Sequence, residues 1–275
     1  MASLATGSLS IPKQKLAPWL GAIRNGSCVA TLSAQTPMTF GEGESWTFDI
    51  GEAEYVGEGS DKGASTVTPT TKTVKPFKFH KTLRFNEEVL WADEDRQLEV
   101  VDEILALIQP ALSRALDFGV FHEVNPTGGA IVAAMNGGLT DTTNLVEYVA
   151  ADKPYVSLDA ADGLVLADGF VPRDIALDPT YAAKFSALRG TTSEQKLYPN
   201  FRLGIETSEL DGHRASVSNT VRGAGKLAVD TKVLGFVGDF SAIRWGVQKE
   251  IGLEVIKYGD PDGGGDLKRN NQVAF

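Results

Sequence analysis

The chain has 275 residues, a formal net charge of −10 and a single cysteine, Cys28. That length supports one large domain or two smaller ones around a sizeable core. The acidic balance argues against a protein that grips nucleic acid through its phosphates, and one cysteine excludes an internal disulfide. Cys28 reads as a small apolar residue of a reducing compartment. The N-terminus has no basic stretch followed by an apolar run, and no segment approaches the ~20 apolar residues needed to span a bilayer.

Residues 1–32 form a first segment rich in Ser, Pro, Ala and Lys, in which Ile11, Leu16, Trp19, Leu20 and Ile23 follow no regular period. Trp19 and Ile23 mark it as an arm that docks on another copy of the chain. Its removal through residue 30 is expected to leave a folded protein. Strand patterns follow from Thr39 to Leu90. SWTFDI (Ser45 to Ile50) and AEYVGEG (Ala53 to Gly59) lead into the polar, turn-rich GSDKGASTVTPTTKTV. Alternation returns in KPFKFHKTLRF, with Phe77, Phe79, Lys81, Leu83 and Phe85 on one face. The pattern predicts an extended hairpin over about 47–80, whose tip far exceeds the ~2–5 residues of an ordinary hairpin loop.

The stretch WADEDRQLEVVDEILALIQPALSRALDF (Trp91 to Phe118) is the one long periodic helix. Leu98, Val101, Leu105, Ile108, Leu112 and Leu116 recur three or four residues apart and predict a buried stripe. Asp93 is placed to cap, with Glu94 and Asp95 set against the helix dipole, and Gly119 marks the stop. From Gln97 to Phe118 such a rod is about 33 Å long. Pro110 inside it predicts a bend.

NPTGG (Asn125 to Gly129) signals a turn and a boundary. Beyond it, LVEYV (Leu145 to Val149) reads as a strand and LDAADGLVLADG as a short helix. DIALD (Asp174 to Asp178) reads as a buried strand. PTYAAKFSALRG is a helix with proline first and glycine last, and HRASVSNTV (His213 to Val221) is a strand. VLGFVGDFS (Val233 to Ser241) is a further buried strand, AIRWGVQ and LEVIKYG are strands, and GDPDGGGDLKRNN is a flexible loop. QVAF opens a core strand at the very end, which predicts that the chain continues beyond Phe275. Interleaved helices and strands make the class α+β.

Chemical signatures are sparse. GAGK (Gly223 to Lys226) has the outline of a phosphate loop, but Thr220 and Leu227 occupy its required glycine and hydroxyl positions. DPDGGGDLKRNN has the outline of a calcium loop, with Gly264 and Asn271 where ligands belong. His80, His122 and His213 lack metal-ligand spacing and read as surface or strand histidines. No catalytic, cofactor-binding or metal-ligating residue is assigned, and no cofactor is expected.

The ordered set does resemble a known family. An N-terminal arm precedes AEYVGEG at the start of a long hairpin, and LRFNEEVLWADE leads into a single long helix. ALDFGVFHEVNPTGG follows the helix, and LGFVGDFSAIRWGVQKEIGLEV comes late, before RNNQVAF. This is similar to the major capsid protein of tailed double-stranded DNA phages with the Hong Kong 97 fold. The resemblance implies an arm over 1–32 and a peripheral domain over 33–127 that carries the extended loop and a spine helix over about 94–118. It implies an axial domain over 128–232 and a return to the peripheral domain over 233–275. It further implies a non-enzymatic shell subunit in pentamers and hexamers, assembled in a host cytoplasm, near packaged DNA and away from membranes. A portal and room for decoration proteins come with it. Because Met1 leads directly into the arm, a separate scaffolding protein is expected.

Assembly contacts are expected at Trp19, Ile23, Tyr55 and Lys62. In the family some shells are locked by an isopeptide bond, and matching YVGEGSDKGAS and LKRNNQV places Lys62 at its lysine and Asn270 at its asparagine. A glutamate just past Phe275 would be the base. The plainer reading keeps Lys62 as a solvated tip charge and Asn270 as a turn residue. An encapsulin-type nanocompartment shares the fold expectation, and a soluble α/β enzyme using Asp93, Glu94 or His122 is the reading from another class.

Overall fold

The computed structural model describes residues 26–38, 42–49, 52–61, 63–64, 67–88, 100–135, 137–192, 194–223, 230–247 and 254–275. They divide into two compact units. One holds Phe79–Trp245 with residues 26–35 and 254–275, and the other holds Thr36–Lys78 with residues 246–247.

The first α-helix among the described residues of the larger unit is α1 (Cys28–Leu32), five residues long. Cys28 and Val29 have no exposed surface and Leu32 almost none. Residues 28–32, read as the end of the expected arm, thus belong to the core of this unit, and removing residues through 30 would take the buried Cys28, Val29 and Ala30 with it. Trp19 and Ile23 lie outside the described residues.

α2 (Val100–His122) is the long rod, 23 residues and about 35 Å. Asp93, Glu94, Asp95 and Leu98 lie outside the described residues. Pro110 sits inside one continuous helix. The expected stop at Gly119 is overrun by three residues. The reason is packing: Phe118, Phe121 and His122 are buried on that last turn, which offsets the ~1 kcal/mol that glycine costs a helix. Phe121 stacks on Phe236 at 4.7 Å between ring centroids. Glu123, at φ 56°, then turns the chain. The buried face is also rotated from the expected stripe. Ile108 is buried, but Leu112 and Leu116 are only half-buried, while Ser113, Ala115 and Asp117 face inward.

NPTGG is the predicted turn. Asn125 accepts the amides of Gly128 and Gly129 on its carbonyl, and that of Thr127 on its side chain. LVEYV is not a strand; Leu145 and Val149 are 74% and 52% exposed on irregular backbone. α3 (Pro154–Ala167) is longer than the short helix expected and begins at its proline. β4 (Asp174–Leu177) is buried at every position, as read. α4 (Pro179–Ala187) starts at Pro179 behind the Asp178 cap but ends before Leu188, not at Gly190. β5 (Ser208–Leu210) and β6 (His213–Val217) form a hairpin over Asp211-Gly212, both at positive φ, the pairing that two-residue hairpin turns favour. β7 (Gly235–Gly238) completes a four-stranded sheet in the order β5-β6-β4-β7, with β4 parallel to β6 and antiparallel to β7. Ile175, Leu177, Tyr181, Phe185, Leu210 and Val217 form the heart of the core around it.

β3 (Arg84–Asn86) pairs antiparallel with β8 (Gln272–Ala274), so QVAF is the core strand it was read to be. Among the described residues AIRWGVQ and LEVIKYG form no strand, and each contributes one isolated bridge, Trp245 to Gln35 and Ile256 to Ala274.

In the smaller unit β1 (Gly43–Asp49) pairs antiparallel with β2 (Thr68–Val74). The hairpin exists, but its return strand is TPTTKTV, part of the segment read as polar tip. Threonine is β-branched and suits a strand without needing burial. AEYVGEG and the run from Phe77 to Leu83 form no strand; Phe77 and Phe79 are 40% and 41% exposed.

Candidate assembly surface

Partner register on the ribbon decides which side chains share a face. Glu44, Trp46 and Phe48 on β1 stand opposite Thr73, Thr71 and Pro69 on β2. Alternation puts Ser45 and Thr47 on the reverse face. Trp46 and Phe48 are 58% and 61% exposed, on a two-stranded sheet. A ribbon of this kind is marginal alone in water, and among the described residues no further strand joins it. Tyr55, an expected contact, is 92% exposed. Lys62 lies outside the described residues.

Asn270 is exposed in the turn-rich 258–271 segment, with its amide directed at the carbonyls of Asp266 and Leu267. The loop was expected to be flexible, yet Leu267 is fully buried and Arg84 binds the loop from β3. The Arg84 guanidinium donates to Asp262, to Asp260 at 3.0 Å, to the Gly265 carbonyl at 2.9 Å and to Gln272 Oε1 at 3.1 Å. Its hydrogen bond holds the Asp262 carboxyl below the usual carboxylate range. Arginine thus occupies the oxygens that would have made the outlined calcium loop.

A second node is fully interior. Asp117 accepts from the Cys28 amide at 2.9 Å, the Val29 amide at 3.1 Å, Thr220 Oγ1 at 2.6 Å and Ser27 Oγ. One carboxylate therefore caps α1 and ties it to α2 and to the chain after β6. Burial pushes the Asp117 carboxyl up, against the pull of these four bonds. His122 and His213, read as surface or strand histidines, are both buried. His213 on β6 lies with Nδ1 3.2 Å from the Leu210 carbonyl and Nε2 3.1 Å from Asp162 Oδ1. His122 Nε2 is 3.1 Å from the Thr220 carbonyl, and burial lowers its pKa.

These polar residues are structural in their contacts. Burial beside Asp117 pushes the Cys28 thiol far up, which removes it as a nucleophile. Among the described residues no group of three or more His, Cys, Asp and Glu is placed to hold a metal, and no helix is long and apolar enough to cross a membrane. Reading the sequence missed Trp46, Phe48, Arg84 and Asp117. The ribbon face was legible in the alternation of ESWTF; the two nodes depend on partners 88 to 188 positions away.

No protein-family model and no curated protein matches the chain. Solved structures do. A chain from Mycobacterium phage Ogopogo superposes with a TM-score of 0.78 at 39% identity, over 98% of this chain and 90% of that one. A chain from Gordonia phage Cozz gives 0.71 at 27% identity, over 98% and 84%. A capsid chain of an empty GTA particle gives 0.54 at 12% identity, over 100% and 88%, a likeness of fold alone. With a 39% identical relative matched over nearly its whole length, this chain belongs to the major capsid proteins of tailed double-stranded DNA phages, and it is an α+β structural subunit of the icosahedral shell with the Hong Kong 97 fold.

Proposed function

We propose that the β1–β2 ribbon is the element by which one subunit closes on the next. The observation that carries this is the Trp46–Phe48 face, more than half exposed on a two-stranded ribbon. Such a face gains its burial only from another molecule, and in a shell the molecule at hand is a second copy. Trp46→Asp tests it. The variant subunit should stay soluble with the secondary structure of the parent yet fail to form closed shells by electron microscopy. Shells in parental yield would end the proposal.

The finer organisation belongs to the same reading. Subunits group as pentamers and hexamers, the region around the four-stranded sheet (128–232) lies toward the capsomer axes, and Trp19, Ile23 and Tyr55 add contacts between copies. A separate scaffolding protein and a portal serve assembly in a host cytoplasm, decoration proteins are accommodated, and the subunit performs no catalysis. DNA is packed against an acidic shell by weak, sequence-indifferent contact that falls with added salt. Asn270, exposed at the end of a loop held by Arg84, is open to a lysine of a neighbour, with Lys62 as its partner. A ladder of covalent multimers on denaturing gels of mature particles, lost in Lys62→Ala, is the expected signature; a single monomer band would refute the bond.

A further inference from the structure

Only Pro154 and Leu158 of α3 are buried, and both lie in its first half. That half is tied to α4, where the Tyr181 hydroxyl donates to the Pro154 carbonyl at 2.8 Å. Among the described residues the second half has a single ion pair to the sheet, from Asp162 to His213 on β6. Asp162 Oδ1 lies 3.1 Å from His213 Nε2, and the Leu210 carbonyl lies 3.2 Å from His213 Nδ1. The His213 side chain is 7% exposed and that of Asp162 20%. Both partners of the ring are acceptors, since neither a carbonyl oxygen nor an ionised carboxylate has a proton to give. A neutral imidazole carries one N–H and serves only one of them. Its other nitrogen would then set a lone pair against an oxygen lone pair in a nearly dry site. Two N–H donors satisfy both.

The charges around the ring favour the same state. Asp159 on α3 and Asp211 in the β5–β6 turn lie close enough to act on Asp162, as His213 does. Burial raises the Asp162 carboxyl, and His213 pulls it back down. Tyr155 and Tyr198 are the other titratable groups of the cluster. Burial, with Asp211 and Asp159, pushes the Tyr198 hydroxyl up to about 12, so it stays neutral. Glu209 and Arg214 stand opposite each other on the reverse face of the hairpin and are exposed. One imidazole therefore sits among three carboxylates, Asp159, Asp162 and Asp211.

We infer that His213 is an imidazolium in the folded subunit and that its second proton is a fastening, which holds the second half of α3 on the β5–β6 hairpin and frees it when the proton leaves. The closed pair binds a proton that the open one gives up, so rising pH favours the open state. The part set free is apolar at its end. Leu166 lies in the last turn of α3, with Phe170 and Val171 just beyond it, and all three are exposed.

The full-length, unassembled subunit labelled with ¹⁵N in its three histidines gives the direct test, with His213→Gln assigning the resonances. At about pH 7.5 an isolated imidazole is roughly nine-tenths neutral. Both ring nitrogens of His213 should still carry protons there. Asp162→Asn keeps an acceptor oxygen but removes the charge, and should leave His213 with one N–H at that pH. Hydrogen exchange, corrected for intrinsic rate, reads the consequence. Protection over residues 161–167 should fall by about tenfold or more as pH rises past the loss of the second proton, and should already be low in Asp162→Asn, while β4 stays protected. A neutral His213 at about pH 7.5, or an imidazolium that Asp162→Asn leaves unchanged, would overturn the inference. Loss of the proton with protection of α3 unaltered would overturn it too. The pH series on the parent chain carries the test if Asp162→Asn does not fold.

Discussion

Asp117→Ala is the substitution whose cost follows most directly from the contacts. The carboxylate accepts from two backbone amides, Cys28 and Val29, and two hydroxyls, Ser27 and Thr220, all of them buried. The hydroxyls can turn elsewhere; Thr220 Oγ1 already lies 2.9 Å from Ser218 Oγ. The amides cannot, because α1 fixes them, and each buried N–H left unpaired costs about 1–3 kcal/mol. Removing a carboxyl that burial disfavours returns part of that, so the net loss should be about 2–5 kcal/mol. Asp117→Asn keeps one acceptor oxygen but turns an NH₂ toward donors, and should lose about half as much. Urea unfolding of unassembled subunits measures the loss. Hydrogen exchange at Cys28 and Val29 locates it, since those amides should exchange faster than the core strand β4. A loss below about 1 kcal/mol, or unchanged exchange there, would refute the claim that this carboxylate fastens α1 to the core.

Phe121→Ala should cost about 3–5 kcal/mol in the same assay, because the ring is fully buried and stacked on Phe236; a shift near zero would mean that the end of α2 repacks freely. Burial lowers the His122 pKa, so the folded state binds a proton less readily than the unfolded chain. Its contribution to stability should therefore be complete above about pH 6.5 and lost as pH falls through the lowered folded value, a slope that His122→Gln should flatten in unfolding curves taken across that range. Arg84→Ala should release the 258–271 loop, seen as faster cleavage there in limited proteolysis while β4 stays protected; equal cleavage rates would show that Leu267 alone holds the loop.

Local pattern was sufficient wherever an element satisfies itself. DIALD is a buried strand, PTYAAKFSA opens on its capped proline, NPTGG turns on the Asn125 side chain and the chain's final QVA pairs in the core, because each carries its own hydrophobic run or cap. The long rod was legible for the same reason, and so was the order of hairpin, rod and mixed sheet that helped carry the family resemblance. Where long-range packing competes with local preference, the sequence misled. Gly119 lies within the helix because Phe121 and His122 find burial beyond it, and TPTTKTV is a strand because β1 lies opposite it. Among the described residues the apolar LVEYV joins no ladder and AIRWGVQ makes only the single Trp245–Gln35 bridge, so neither becomes a strand. Only the tertiary structure could decide the Asp117 and Arg84 nodes and the His213–Asp162 pair, whose partners are brought together by the fold. Spacing along a sequence sets which residues share a face; which face meets another depends on contacts that no local spacing encodes.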